Sequence, residues 1–154
     1  MSRYETDGGL DTFERAIDGW LARALSENPA IVAVDRAEPG EERRWYVRLA
    51  GEEKDFTTVW LTLRQRMLHY ETYVMPAPEE NAGELYEHLL RRNARLVAVQ
   101  FAIGPEDAVY LVGALPLTAC DEAELDRVIG SVFAAVEQCF RPALRIGFAS
   151  RFQT

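Results

Sequence analysis

The stretch from Phe56 to Met75 does most to restrict what this chain can fold into. Val59, Leu61 and Leu63 alternate there with Thr58, Trp60 and Thr62. After Gln65 and Arg66 the alternation resumes, with Leu68, Tyr70, Thr72 and Val74 set against His69, Glu71 and Tyr73. A period of two that is rich in β-branched and aromatic residues, interrupted once by a short polar connection, is the pattern of a β-hairpin. The remaining elements are read outward from it.

On the N-terminal side, Asp11, Thr12 and Glu14 suit a helix start, and Phe13, Ile17, Trp20, Leu21, Ala24 and Leu25 follow at helical spacing. The helix is predicted to end before Asn28-Pro29, because proline disfavours the α region for the residue before it. Residues 1–10 are expected to be flexible and residues 11–154 to form one domain. Ile31, Val32 and Val34 suggest an optional short strand, and Arg43 to Ala50 a longer one with Trp45, Val47 and Leu49 on one face.

Beyond the hairpin, Pro76 and Pro78 break the chain. A helix is predicted from about Ala82 to Arg92, burying Leu85, Leu89 and Leu90, with Asn93 as a left-handed cap. Leu96 to Ile103 and Ala108 to Leu115 read as a second hairpin. Its first strand is apolar on both faces, which predicts cover on both sides, by helices or by a second molecule. Asp121 and Glu124 have capping-box spacing. Leu125, Val128, Ile129, Val132, Phe133, Val136 and Phe140 then form a helical stripe that Arg141-Pro142 is predicted to end, leaving a docking tail of no assigned shape.

The chain carries 17 basic and 25 acidic residues, a net charge of −8. Such a charge disfavours nucleic acid as a partner. No apolar run approaches the roughly 20 residues that span a bilayer, and the polar N-terminal segment lacks the core of a secretory signal. A cytoplasmic location without a membrane partner is the expectation. Cys120 and Cys139 match neither a redox pair nor a zinc site and read as reduced thiols.

Little in the chain promises catalysis. His69 and Glu71 project from one face of a strand and are able to share a proton or ligate a metal, but no third ligand lies in sequence reach, and a solvated polar pair is the simpler reading. Arg64, Arg66, Arg91, Arg92 and Arg95 either gather into an anion-binding patch or pair singly with acidic neighbours. Cys120 precedes a helix start that would favour a thiolate, whereas Asp121 beside it favours the thiol. There is no Gly-x-Ser-x-Gly setting and no glycine-rich phosphate loop. No enzyme activity, cofactor or metal is expected.

Taken in order, Arg44-Trp-Tyr-Val-Arg-Leu, Thr58-Val-Trp-Leu-Thr-Leu, Tyr73-Val-Met-Pro-Ala-Pro-Glu-Glu-Asn, Leu89-Leu-Arg-Arg-Asn, Tyr110-Leu-Val-Gly-Ala-Leu-Pro-Leu and Gly147-Phe-Ala-Ser resemble an actinobacterial YbjN-domain protein, from about Thr12 to Ser150. The resemblance implies an α+β fold similar to the type III secretion chaperones: an antiparallel sheet of five to six strands flanked by three helices, in the order α-β-β-β-α-β-β-α. It implies a sensory transduction regulator or chaperone-like module, often dimeric, that binds a protein or peptide partner. On that expectation the interaction surface comprises Trp60, Tyr70, Tyr73, Arg64 and Arg66. The alternative is a small-anion or metabolite sensor built on the face that carries His69 and Glu71.

Overall fold

The computed structural model describes residues 7–152. Helix α1 (Asp7–Glu27) leads into four consecutive strands, β1 (Ile31–Arg36), β2 (Arg43–Ala50), β3 (Phe56–Leu63) and β4 (Met67–Met75). Helix α2 (Ala82–Asn93) follows, then β5 (Gln100–Ile103), β6 (Val109–Pro116) and the long α3 (Glu122–Gly147). The strands form one antiparallel sheet in the order β1-β2-β3-β4-β6-β5, so β6 inserts between β4 and β5. The α+β class and the three flanking helices expected from the sequence are those observed, and the optional strand near Ile31 forms as β1, which gives six strands in the order α-β-β-β-β-α-β-β-α. None of the described helices is long and apolar enough to cross a membrane.

Register converts the alternating pattern into two unlike faces. Leu61 lies between Trp45 and Tyr70, and Val59 between Val47 and Thr72, so every member of these rows points the same way. That face is covered by all three helices and holds the core. Asp18 of α1 accepts a hydrogen bond from the Trp45 indole (2.8 Å). Asp121 caps α3 by accepting from the Glu124 amide (2.8 Å), and Leu125, Val128, Ile129, Val132 and Val136 of the expected stripe are buried, with Phe133 and Phe140 partly so. Among the described residues, no helix covers the opposite face of the sheet.

Several local expectations are corrected. Helix α1 starts at Asp7, and Leu10, in the stretch expected to be flexible, is buried; residues 1–6 lie outside the described residues. Leu25 and Leu90 are exposed. Asn93 is not a left-handed cap: it stays in α2, and its side chain accepts from the Phe101 amide (2.7 Å) and donates to the Phe101 carbonyl (3.3 Å). The left-handed residue at this helix is Asn81 at its start.

The apolar run from Leu96 yields only a four-residue strand. Ala98 sits at φ 66°, and Val97 projects into solvent, so cover on both faces is not needed there. Helix α3 runs straight past Pro142 to Gly147. A proline inside a helix costs roughly 3 kcal/mol, but Ala143, Gly147 and Phe148 are buried, and the Gly147 carbonyl accepts from the amides of Glu79 (2.9 Å) and Glu80 (3.1 Å). These contacts offset the missing bond and fix the tail, whose end forms a short 3-10 turn.

Candidate interaction face

The uncovered face of the sheet is built by the residues that alternate with the core. Tyr46 stands opposite Trp60, Trp60 opposite Glu71, Thr62 opposite His69, and Tyr73 opposite Tyr110. Trp60 is 39% exposed, Tyr73 43% and Phe56 45%. They are braced rather than loose. Trp60 meets Tyr46 edge to face at 5.3 Å, and Tyr73 meets Tyr110 in the same manner at 5.6 Å. The Arg44 guanidinium lies 5.0 Å from the Trp60 ring.

Lys54, Phe56, Trp60, Glu71, Tyr73 and Tyr110 line a hollow of about 410 Å³ on this face. Lys54 arrives there from the turn between β2 and β3. That turn is clasped by Glu137 of α3, whose carboxylate accepts from the amides of Glu52 (2.6 Å), Glu53 (3.2 Å) and Lys54 (3.1 Å). The Lys54 ammonium donates to the Tyr73 carbonyl (2.8 Å) and lies 5.3 Å from the Tyr73 ring. Burial pushes its pKa below the usual lysine value. No carboxylate of the described residues pairs with it.

A second hollow of about 490 Å³ adjoins the first and shares Glu71. Arg44, Thr62, Arg64 and His69 line it, so the structure does bring His69 and Glu71 together with two arginines. Both arginines are already matched: Glu42 accepts from Arg44 (2.6 Å) and lies 3.2 Å from Arg64. Arg91 pairs with Glu87 within its own helix. Among the described residues no group of three or more His, Cys, Asp or Glu side chains is placed to hold a metal ion.

Tyr70 does not belong to the exposed surface. It is 1% exposed on the helix-covered face, and its hydroxyl donates to the Ala98 carbonyl (2.5 Å). The reason is parity: the open-face residues of β4 are the odd-numbered His69, Glu71 and Tyr73, whereas Tyr70 is even-numbered and shares its row with Leu61 and Gly113. Lys54, Phe56, Arg48 and Tyr110 were the residues missed. Phe56, Arg48 and Tyr110 were readable from the same alternation, whereas Lys54 sits in a turn and is placed by Glu137.

The cysteines are inert by environment. Burial, then Asp121, then Glu124 push the Cys120 thiol up to about 12. Burial also raises Cys139. His88, on α2, has its Nε2 buried without a hydrogen-bond partner.

A family model named YbjN, described as "Putative bacterial sensory transduction regulator", matches residues 15–145. The chain belongs to the YbjN family. An uncharacterized protein of Mycobacterium leprae is 38% identical to this YbjN chain over 110 residues, 71% of this chain and 60% of that protein. An uncharacterized protein of Mycobacterium tuberculosis is 37% identical over 107 residues, 70% of this chain and 58% of that protein. The chain thus spans about three fifths of the length of the curated relatives it matches.

Among solved structures, a chain of the heterodimeric ExoU–SpcU complex from the type III secretion system of Pseudomonas aeruginosa superposes with a TM-score of 0.54 at 16% identity, covering 82% of this chain and 96% of that one. The Yersinia pestis type III secretion chaperone SycH, solved with a stable fragment of YscM2, gives 0.49 at 16% identity over 77% and 94%. The fold is thus shared with that chain of the ExoU–SpcU complex.

Proposed function

We propose that this YbjN chain is a non-enzymatic regulatory module that works in the cytoplasm by binding a partner protein or peptide on the open face of its sheet. The observation that carries the reading is the braced aromatic set Phe56, Trp60 and Tyr73, left exposed around a hollow on a face without helices. Exposed aromatics on a rigid scaffold are the usual anchors of an interface. The family description and a fold seen in a heterodimeric secretion complex are consistent with it.

The dimer is part of the same proposal. Leu90 (68% exposed) and Ile103 (55% exposed) border an apolar groove of about 290 Å³ between α2 and β5, with Tyr86 and Phe101 in its wall. A two-fold axis beside this groove would bury both copies of the patch at once. Light scattering should then give twice the chain mass for the wild type and the single mass for Ile103→Lys.

The test of partner binding is a pull-down with tagged full chain at low and moderate salt, run beside Trp60→Ala and Tyr73→Ala. A near-stoichiometric partner that the variants lose while keeping their melting transition supports the reading. Equal recovery by all three refutes it. A second reading, a small-anion sensor, is favoured by the Arg44, Arg64, His69 and Glu71 hollow, and opposed by the pairing of both arginines with Glu42. A thermal-shift panel of anions and metals separates the two, since a specific ligand raises apparent stability with occupancy.

A further inference from the structure

We infer that the occupant of the open face is an acidic, extended peptide segment: one apolar or aromatic side chain enters the hollow between Phe56, Trp60, Tyr73 and Tyr110, and a flanking carboxylate pairs with Lys54 and Arg48. This rests on the reading of the open face given above and names the chemistry of its partner.

The open face carries unmatched positive charge. On a chain of net charge −8, acidic side chains are in surplus, and several arginines elsewhere on the surface are paired with them. Arg23 pairs with Glu122, Arg43 with Asp11, Arg44 with Glu42, Arg141 with Glu53 and Arg151 with Glu79. Neither Lys54, which lines the aromatic hollow, nor Arg48, which packs on Phe56 of its wall, is matched by a carboxylate among the described residues. The Arg48 guanidinium lies over the Phe56 ring, 3.9 Å from its centre, with no carboxylate partner among the described residues. Lys54 is held against Tyr73 by a backbone carbonyl, again without a carboxylate.

Phe56 connects the two, since it carries Arg48 on its face and lines the hollow beside Lys54. A carboxylate placed there meets two cations and displaces no existing ion pair. A partly desolvated ammonium recovers most from such a partner. Glu71 on the far side of the hollow repels a second carboxylate, so the acidic group of the segment is directed to the Phe56 end.

The shape favours a peptide over a small acid. The two adjoining hollows run across β2, β3, β4 and β6. Three inter-strand steps of about 4.8 Å make roughly 14 Å, the span of four to five extended residues at about 3.3 Å each.

The test uses the whole chain, dye-labelled, on an array of extended peptides in which each aromatic-containing sequence is printed in glutamate, glutamine and lysine versions. The expected result is binding to the glutamate versions, at least about tenfold weaker for the glutamine versions. Binding should fall by a similar factor for Lys54→Gln and for Arg48→Gln, with melting unchanged. Equal binding of glutamate and glutamine versions overturns the inference, as does displacement of bound peptide by free phenylacetate at equal concentration. The same two variants in the pull-down separate this inference from the broader one. If they keep a partner that Trp60→Ala loses, the acidic segment falls and the open-face interface stands. If Trp60→Ala also keeps it, both fall.

Discussion

Replacing Tyr70 by Phe removes one oxygen and tests which face the ring serves. The ring is fully buried and stays so in the variant, whereas the hydroxyl that donates to the Ala98 carbonyl is lost. Ala98 is exposed, so water can reach its freed carbonyl, and the cost belongs at the ordinary value for a hydrogen bond, about 1 kcal/mol. For a domain of this size that lowers Tm by about 2–4 °C. Tyr70→Ala, which also empties the ring site, should cost about 3–5 kcal/mol.

The loss should also be local. Ala98 holds a left-handed backbone that costs an L-residue roughly 1–2 kcal/mol, and the Tyr70 bond is one of the few contacts offsetting it. Amide hydrogen exchange in Tyr70→Phe should therefore rise most over residues 95–100. Burial raises the Tyr70 phenol above its ordinary value of 10.0. The stability that comes from keeping it neutral is complete below that value and is lost as pH rises through the higher folded one, so the variant should show a shallower alkaline decline. Unchanged stability and exchange, combined with loss of partner capture, would refute this account and return Tyr70 to the surface.

Three other changes probe the same core. Thr57 Oγ1 is buried with no hydrogen-bond partner, so Thr57→Val should stabilise by about 1 kcal/mol, read as a higher urea midpoint at constant slope. A Cβ on Gly113 would lie 2.3 Å from both the Ala98 carbonyl oxygen and the Tyr70 ring, so Gly113→Ala should cost about 1–3 kcal/mol by the same measurement. Burial, followed by Arg92, lowers the His88 pKa. Stability should hold above the unfolded value of 6.5 and decline as pH falls from there toward the lower folded value, a slope that His88→Leu should flatten.

The strand alternation was enough to sort the faces. Val59, Leu61 and Leu63 went inward and Trp60, His69, Glu71 and Tyr73 outward, as read. The size of Tyr70 suggests a surface anchor, but its alternation with Leu68 and Thr72 assigns it inward. What the sequence did not carry was fixed by distant partners. Lys54 reaches the hollow because a glutamate 83 residues away gathers its turn. The helix continues past Pro142 because the tail beyond it is buried, and no local propensity reports that. The shortness of β5 follows from Ala98 and Asn93, whose roles depend on Tyr70 and Phe101.

Asn93 has a wider consequence. A side-chain amide is chemically a peptide unit, and here it fills the outward amide and carbonyl of Phe101 as a neighbouring strand would. It behaves as a strand one residue long. At the other border, β1 carries a bulge between Ile31 and Ala33, and Arg36 is tied to Glu14 and Asp18 of α1. Both borders thus carry an interruption of the kind that disfavours edge-to-edge pairing with an incoming chain. A molecule so finished at its margins can leave a sticky aromatic plane uncovered without growing into fibres.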